Sequence, residues 1–144
     1  MPVVFEYRRR VLADEIDELG HANNQAYLAW MIEAAVAHSA AQGWPTERYL
    51  ALGSAWVVRR HEIEYLRPAM PGDEIVVRTW VSAVARVTSE RRYEIQRHSD
   101  GVLLARALTV WAWLDRKSGR PGRIPEDVAA AFAVTAGKSQ PQAA

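Results

Sequence analysis

The sequence contains no cysteine, which excludes several kinds of protein at once. A disulfide framework, a cysteine-ligated zinc site and a thiol nucleophile all require that residue. An excess of one charge is also absent, because 18 basic residues face 17 acidic ones and the net charge is +1. Since nucleic-acid-binding domains attract phosphates with a strongly basic surface, this balance predicts no nucleic-acid partner.

No apolar stretch approaches the roughly 18 residues that a membrane-spanning helix requires. The N-terminus also lacks the basic segment and apolar core of a secretion signal. We therefore expect a cytoplasmic protein with no membrane partner. The length fits one domain, which we place over residues 1–133, followed by a flexible tail of small and polar residues over 134–144.

Lysine is scarce, because 16 of the 18 basic residues are arginine. Arginine holds a carboxylate or phosphate through two parallel hydrogen bonds, which makes an anionic ligand conceivable. A compositional bias of the source genome explains the same count. The four histidines lack the spacing of metal ligands, so we predict neither a metal nor another cofactor.

Five stretches have the alternating or continuous apolar pattern of strands and are bounded by turn residues. One long helix begins at Asn23 or Asn24, whose side chain can cap a first turn, and ends at Gly43 and Pro45. The helix is apolar on almost every side, which predicts that other structure encloses it. The predicted strands are residues 3–11, 54–66, 74–84, 87–98 and 102–115, with a loop over 12–22 and a short helix over 125–132.

This order of elements predicts an α+β protein, with a five-stranded antiparallel sheet curling around one long central helix. A single sheet of this kind leaves two long edge strands. Because long edge strands pair readily with another chain, we expect a homo-oligomer, either a dimer or a dimer of dimers.

Polar residues cluster immediately before the long helix, where residues 15–30 read EIDELGHANNQAYLAW. This stretch resembles the D-x-D-x-x-G-H-V-N-N-x-x-Y-x-x-W signature of hotdog-fold acyl-CoA thioesterases, above all the 4-hydroxybenzoyl-CoA thioesterase-like branch. Further matches follow in order, IEYLRP at 63–68, PGDE at 71–74 and SGRP at 118–121. The resemblance spans about residues 4–130 and implies the hotdog fold.

The resemblance also implies hydrolysis of an acyl-CoA thioester. The catalytic carboxylate of the family falls on Asp17, as nucleophile or general base, whereas the first acidic position of the signature is Glu15 here instead of Asp. The backbone N–H groups at Asn23 and Asn24 are expected to polarise the thioester carbonyl, because a helix N-terminus offers free donors and a partial positive charge. Some relatives carry a histidine where this chain has Asn24. His21 either orients the carboxylate, shapes the pocket or packs against the helix start.

Three residues match loosely the positions at which relatives bind the phosphates of coenzyme A, namely Arg86, Thr88 and Ser89, and Arg91 or Arg92 lies nearby. An ordinary charged outer face explains them as well. An acyl tunnel is expected between the two central helices of a dimer, although core packing accounts equally for its lining. The expected lining residues are Tyr27, Trp30 and Met31.

Several alternatives stay open. Glu33 is the only acidic residue within the central helix. A distant hotdog branch places its catalytic carboxylate on that helix, which makes Glu33 a second candidate. The competing interpretation is that Glu33 forms a buried ion pair with an arginine. His61 is expected to be a hydrogen-bonded core histidine. The chain could also act on acyl carrier protein, or bind an acyl thioester without catalysis. Enoyl-CoA hydration is disfavoured, because its G-D-x-N-P-x-H segment is absent.

Overall fold

In the computed structural model, which describes residues 4–135, one antiparallel sheet of five strands is combined with three helices. The strand order is β1-β3-β4-β5-β2, which leaves β1 and β2 at the edges. The predicted α+β hotdog architecture is confirmed. The elements are β1 (Phe5–Arg10), α1 (Asn24–Ala41), α2 (Thr46–Ala51), β2 (Ser54–Tyr65), β3 (Glu74–Val84), β4 (Thr88–Arg97), β5 (Leu103–Asp115) and α3 (Glu126–Ala130).

The predicted strands and both predicted helices agree with the structure to within two residues at each end. Helix α2 and a short 3-10 turn at Ala13–Glu15 were not predicted, because elements of six and three residues are too short to show a hydrophobic period. Most of the predicted tail, residues 136–144, lies outside the described residues. None of the described helices has the length and apolar character needed to cross a membrane.

Helix α1 begins and ends where its capping residues predict. The Oδ1 atom of Asn23 accepts a hydrogen bond from the Ala26 N–H at 2.8 Å, and Gly43 follows the last turn with a φ of +92°. The sheet covers one face of α1, but Ala29 and Val36 on the other side are exposed. One sheet layer can cover only one side of a helix, so enclosure of α1 on every side is not achieved by this chain's own sheet.

The apolar interior has two clusters. In the first cluster, Trp30 and Met31 of α1 are fully buried against the inner face of the sheet, including Ile75 and Ile95. The second cluster lies between α2, α3 and the end of β5, and its buried members are Trp44, Tyr49, Trp113, Ile124 and Val128.

A polar group lies within this apolar interior. Arg91 of β4 is 5 % exposed, and its Nη1 atom donates to His38 Nδ1 at 2.9 Å and to Thr79 Oγ1 at 3.1 Å. Burial, and secondly the positive charge of Arg91, lower the pKa of His38 from 6.5 to about 3. His38 is therefore a neutral acceptor at neutral pH. His61 contacts Thr109 Oγ1 at 2.8 Å, as expected of a hydrogen-bonded core histidine.

The lowered pKa of His38 predicts acid destabilisation. The unfolded chain binds a proton at this histidine below pH 6.5, whereas the folded chain does so only near pH 3. The stabilisation is thus complete above pH 6.5 and is lost as the pH falls from 6.5 towards 3, by up to about 1.4 kcal/mol per pH unit. In His38→Asn the amide oxygen can still accept from Arg91. The free energy of unfolding of this variant should therefore decrease less steeply with falling pH than that of the wild type.

Urea unfolding at a series of pH values between 7 and 4 measures this slope. The exposed His98, replaced by Asn, provides the control. His61, whose pKa is also lowered by burial, is present in all three proteins. Parallel curves for the wild type and His38→Asn contradict the prediction.

Candidate active site

The segment between β1 and α1 is held in place by the carboxylate of Glu15. The Nη2 atom of Arg9 donates to both carboxylate oxygens of Glu15, at 2.7 and 2.8 Å. The Leu12 N–H and the Trp30 Nε1–H donate to the same carboxylate, at 2.9 and 3.1 Å. Glu15 therefore ties this segment to a strand on one side and to the central helix on the other.

The second terminal nitrogen of Arg9 binds the carboxylate on the central helix. Its Nη1 atom donates to the two oxygens of Glu33 at 2.9 and 2.8 Å, and the Tyr7 hydroxyl donates to Glu33 Oε1 at 2.9 Å. The expected ion pair of Glu33 with an arginine is confirmed, but the Glu33 side chain is 37 % exposed, so the pair is only partly buried. With both oxygens bound by Arg9, the alternative of a catalytic Glu33 has no support in this geometry.

Asp17 lies at the start of a tight turn. Its N–H donates to the His21 carbonyl at 3.0 Å, and its own carbonyl accepts from the Gly20 N–H at 3.0 Å. Gly20 has a φ of +84°, a conformation that favours glycine. The side chain of Asp17 is half-buried, and its Oδ1 atom accepts from the Leu19 N–H at 2.9 Å. Within residues 4–135 its Oδ2 atom has no hydrogen-bond partner, so one carboxylate oxygen is available for chemistry.

The turn is anchored to the start of α1 through the peptide of Glu15. The Glu15 carbonyl accepts from the backbone N–H of Asn23 at 2.8 Å and from its Nδ2 atom at 3.1 Å. The cap on Ala26 occupies a further N–H of the first turn. The N–H groups of Asn24 and Gln25 have no acceptor in the described part of the chain. These two donors are therefore the ones left at the positive end of the helix.

This arrangement corrects one sequence-based expectation. The backbone N–H of Asn23 is bound to Glu15 and is not available to a thioester, so Asn23 acts as the helix cap, whereas the role of Asn24 stays a prediction. Gln25 was missed. The signal for it was in the sequence, because a cap at residue 23 leaves the next two N–H groups free.

Two aromatic side chains surround the start of the helix. Tyr27 is buried, and its hydroxyl accepts from the Ala69 N–H at 3.0 Å, so it occupies a core position. Tyr65, at the end of β2, donates its hydroxyl to the Asn24 carbonyl at 3.0 Å. Burial raises the pKa of Tyr65. Tyr65 was not among the predicted site residues, although it lies in the IEYLRP stretch.

His21 contributes to the turn through its backbone carbonyl, which receives the Asp17 N–H. Its ring is half-buried and makes no hydrogen bond within the described residues. The three predicted roles of His21 therefore stay open. No cluster of three or more metal-ligating side chains occurs among residues 4–135.

The three residues expected to bind coenzyme A do not form one site. Arg86 is exposed and lines an open cavity together with Arg123, while Thr88 starts β4. Ser89 is buried and faces a different cavity, beneath α2. Successive strand residues point to opposite faces of a sheet, which separates Ser89 from Thr88. Arg123 was not among the predicted site residues. It lies near Arg86 because the Ile124 N–H donates to the Arg86 carbonyl at 2.9 Å, and such a contact between distant segments is not visible in the sequence.

The sequence profile of the thioesterase-like superfamily matches residues 11–132 of this chain. The chain belongs to the thioesterase-like superfamily. The matched region contains the turn of Asp17, the whole of α1 and strands β2 to β5.

Individual relatives agree with this family. Over 73 residues the chain is 38 % identical to a chloroplastic acyl-(acyl-carrier-protein) hydrolase of Cuphea viscosissima; the match covers 51 % of this chain but 18 % of that protein. A 1,4-dihydroxy-2-naphthoyl-CoA thioesterase from Synechocystis superimposes with a TM-score of 0.84 at 22 % identity, over 90 % of this chain and 95 % of the other. A hypothetical Staphylococcus aureus protein in complex with CoA superimposes with a TM-score of 0.83 at 15 % identity, over 89 % and 80 % of the two chains. At these identities the two structures show the shared fold.

The Glu15 contacts predict a loss of stability on substitution. In Glu15→Ala, Arg9 loses one of its two carboxylates and two further donors lose their acceptor, so the free energy of unfolding should fall by about 2–4 kcal/mol. Chemical denaturation measures the change. Glu64→Ala is the control, because its pair with Arg106 is about 60 % exposed on both sides and should contribute less than about 1 kcal/mol. Equal decreases in the free energy of unfolding of Glu15→Ala and Glu64→Ala would contradict the structural role assigned to Glu15.

Proposed function

We propose that this protein hydrolyses an acyl-CoA thioester to a free carboxylic acid and CoA, with Asp17 as nucleophile or general base. The observation that carries the proposal is the half-buried Asp17 carboxylate, with one oxygen free, in a turn anchored to the N-terminus of α1. Membership of the thioesterase-like superfamily supports the reaction class.

The arrangement suits a reaction in which negative charge develops on a carbonyl oxygen. A thioester carbonyl placed at the start of α1 can accept hydrogen bonds from the N–H groups of Asn24 and Gln25, which would stabilise the tetrahedral oxyanion. Asp17 then acts in one of two ways. It attacks the carbonyl carbon and expels the CoA thiolate, giving an anhydride that water cleaves, or it takes a proton from a water molecule that attacks the same carbon.

We further propose that Arg86 and Arg123 bind the phosphates of CoA. Both line one open cavity, whose lining also includes Glu126, and neither forms an ion pair within residues 4–135, so two positive charges against one negative charge are available to an anion there. A phosphopantetheine group on acyl carrier protein is the second candidate carrier, favoured by the similarity to chloroplastic hydrolases that act on acyl-carrier-protein esters.

A second copy of the chain is proposed as partner, in a dimer or a dimer of dimers. The edge strand β2 exposes Val57 and Val58, and the uncovered side of α1 exposes Val36. Pairing of two chains would cover apolar surface that the single chain leaves in water.

The role of Asp17 is tested by Asp17→Asn. The amide oxygen still accepts from the Leu19 N–H, so the turn is expected to persist while the charge is lost. We expect kcat to fall by about 100-fold or more, measured as thiol release from a panel of short, medium, long and aromatic acyl-CoA esters. Glu18→Gln, at an exposed position of the same turn, should keep the wild-type rate.

Full activity of Asp17→Asn would falsify the assignment of Asp17. Saturable binding of acyl-CoA without thiol release in the wild type would instead indicate a non-catalytic acyl-thioester-binding protein.

The carrier group is tested by Arg86→Gln and Arg123→Gln. Loss of one charge-assisted hydrogen bond to a phosphate should raise KM for acyl-CoA by about tenfold in each variant, with kcat little changed. Arg116→Gln, an exposed arginine outside this cavity, serves as the control. The same acyl group is then compared on CoA and on acyl carrier protein. Faster turnover of the protein-linked ester, with stronger dependence on salt, would favour the carrier protein as substrate.

A further inference from the structure

A second cavity lies far from the turn of Asp17. It has a volume of about 170 Å³ and lies between the C-terminal half of α1, α2 and the inner face of the sheet. None of its lining residues belongs to the segment between β1 and α1. Along the axis of α1, Ala35 at its wall lies about 16 Å from Asn24. The apolar part of the lining includes Trp44, Trp56, Val81, Trp111 and Phe132.

The volume and lining of this cavity suit a compact apolar group. A dry cavity of roughly 150 Å³ lined by apolar side chains is large enough to bind benzene. The cavity here is of similar size and is lined largely by aromatic rings, so a six-membered ring fits it.

The cavity wall also contains the buried cation Arg91. Its residue is 5 % exposed, its guanidinium carbon lies 5.8 Å from the centre of the Phe132 ring, and among residues 4–135 only its Nη1 atom has hydrogen-bond partners, namely His38 and Thr79. Both partners are neutral, and no carboxylate in that part of the chain lies within ion-pair distance of Arg91. The Nε and Nη2 donors have no protein acceptor there.

The other shielded arginines are bound differently. Arg9 contacts two carboxylates, and so does Arg97, which pairs with Asp73 and Asp100. A buried charge is costly unless an opposite charge accompanies it. Arg91 thus has the hydrogen-bond donors and the charge for an anion but no anion from the described chain.

We propose that this cavity binds a small carboxylic acid with a compact, ring-sized apolar body, whose carboxylate pairs with Arg91. The planar guanidinium can present two parallel N–H donors to the two carboxylate oxygens. The apolar body then packs against the aromatic walls. The carboxylate belongs either to a free acid or to the far end of an acyl group that carries a second carboxylate.

The binding test uses cyclohexanecarboxylate at pH 7.5 and its uncharged counterpart cyclohexanecarboxamide. Tryptophan fluorescence reports occupancy, because three tryptophans line the cavity, and calorimetry confirms it. We expect saturable binding of the carboxylate, at least about tenfold tighter than that of the amide, as for loss of one charge-assisted contact. No saturable binding of the carboxylate up to 10 mM, or equal affinity for the two compounds, overturns the proposal.

Variants assign this binding to the cavity. Arg91→Met should lose the preference for the carboxylate, while Arg92→Met, an exposed neighbour on the opposite face of β4, should keep it. Ala55→Leu retains Arg91 but fills part of the cavity, and it should weaken binding of both compounds. Circular dichroism checks the fold of each variant. Undiminished carboxylate binding in folded Arg91→Met or in Ala55→Leu contradicts the proposed site.

A kinetic comparison distinguishes the two sources of the carboxylate, and this arm alone rests on the proposed thioester hydrolysis. It uses acyl-CoA esters that end in a carboxylate or in the matching amide. If the acyl group occupies the cavity, Arg91→Met lowers kcat/KM for the carboxylate ester only, and cyclohexanecarboxylate competes with it. If a free acid is the ligand, the ratio of kcat/KM for the carboxylate ester to kcat/KM for the amide ester is the same in the wild type and in Arg91→Met. An absence of turnover contradicts the proposed function and leaves the binding test decisive for the cavity.

Discussion

The geometry of the candidate active site depends on one cation that binds two carboxylates. Arg9 lies on an edge strand, yet its two terminal nitrogens each face a different carboxylate, Glu15 before the central helix and Glu33 within it. The side chain of Arg9 is only 13 % exposed, so water screens these contacts weakly. The strand, the preceding segment and the helix are thereby fixed relative to one another.

The position of Asp17 follows from this arrangement. Glu15 is held through its side chain, and its carbonyl accepts from Asn23 at the start of the helix, so the seven residues between them must form a short turn. Asp17 starts that turn, which the Glu15 carbonyl links to the first residue before the helix. Backbone contacts on both sides restrict the conformations of the Asp17 carboxylate, which the proposed hydrolysis would require for alignment with a substrate.

Local patterns predicted the fold because the deciding residues act locally. Asn23 and Gly43 marked the ends of the central helix, and the alternating apolar pattern marked strands such as β4. The family resemblance directed attention to Asp17. What could not be predicted depends on contacts between distant segments: the pairing of Arg9 with Glu33 and the approach of Arg123 to Arg86. No spacing along the chain encodes such contacts.

The division of the apolar interior has an evolutionary consequence. The buried residues around the central helix and those beneath α2 form separate clusters with no shared member. Energetic effects of substitutions in separate, non-contacting regions are usually additive. Substitutions beneath α2 are therefore expected to leave the stability of the turn that contains Asp17 largely unchanged. The cavity proposed to bind a carboxylic acid could then diverge over generations while the carboxylate proposed for catalysis is retained.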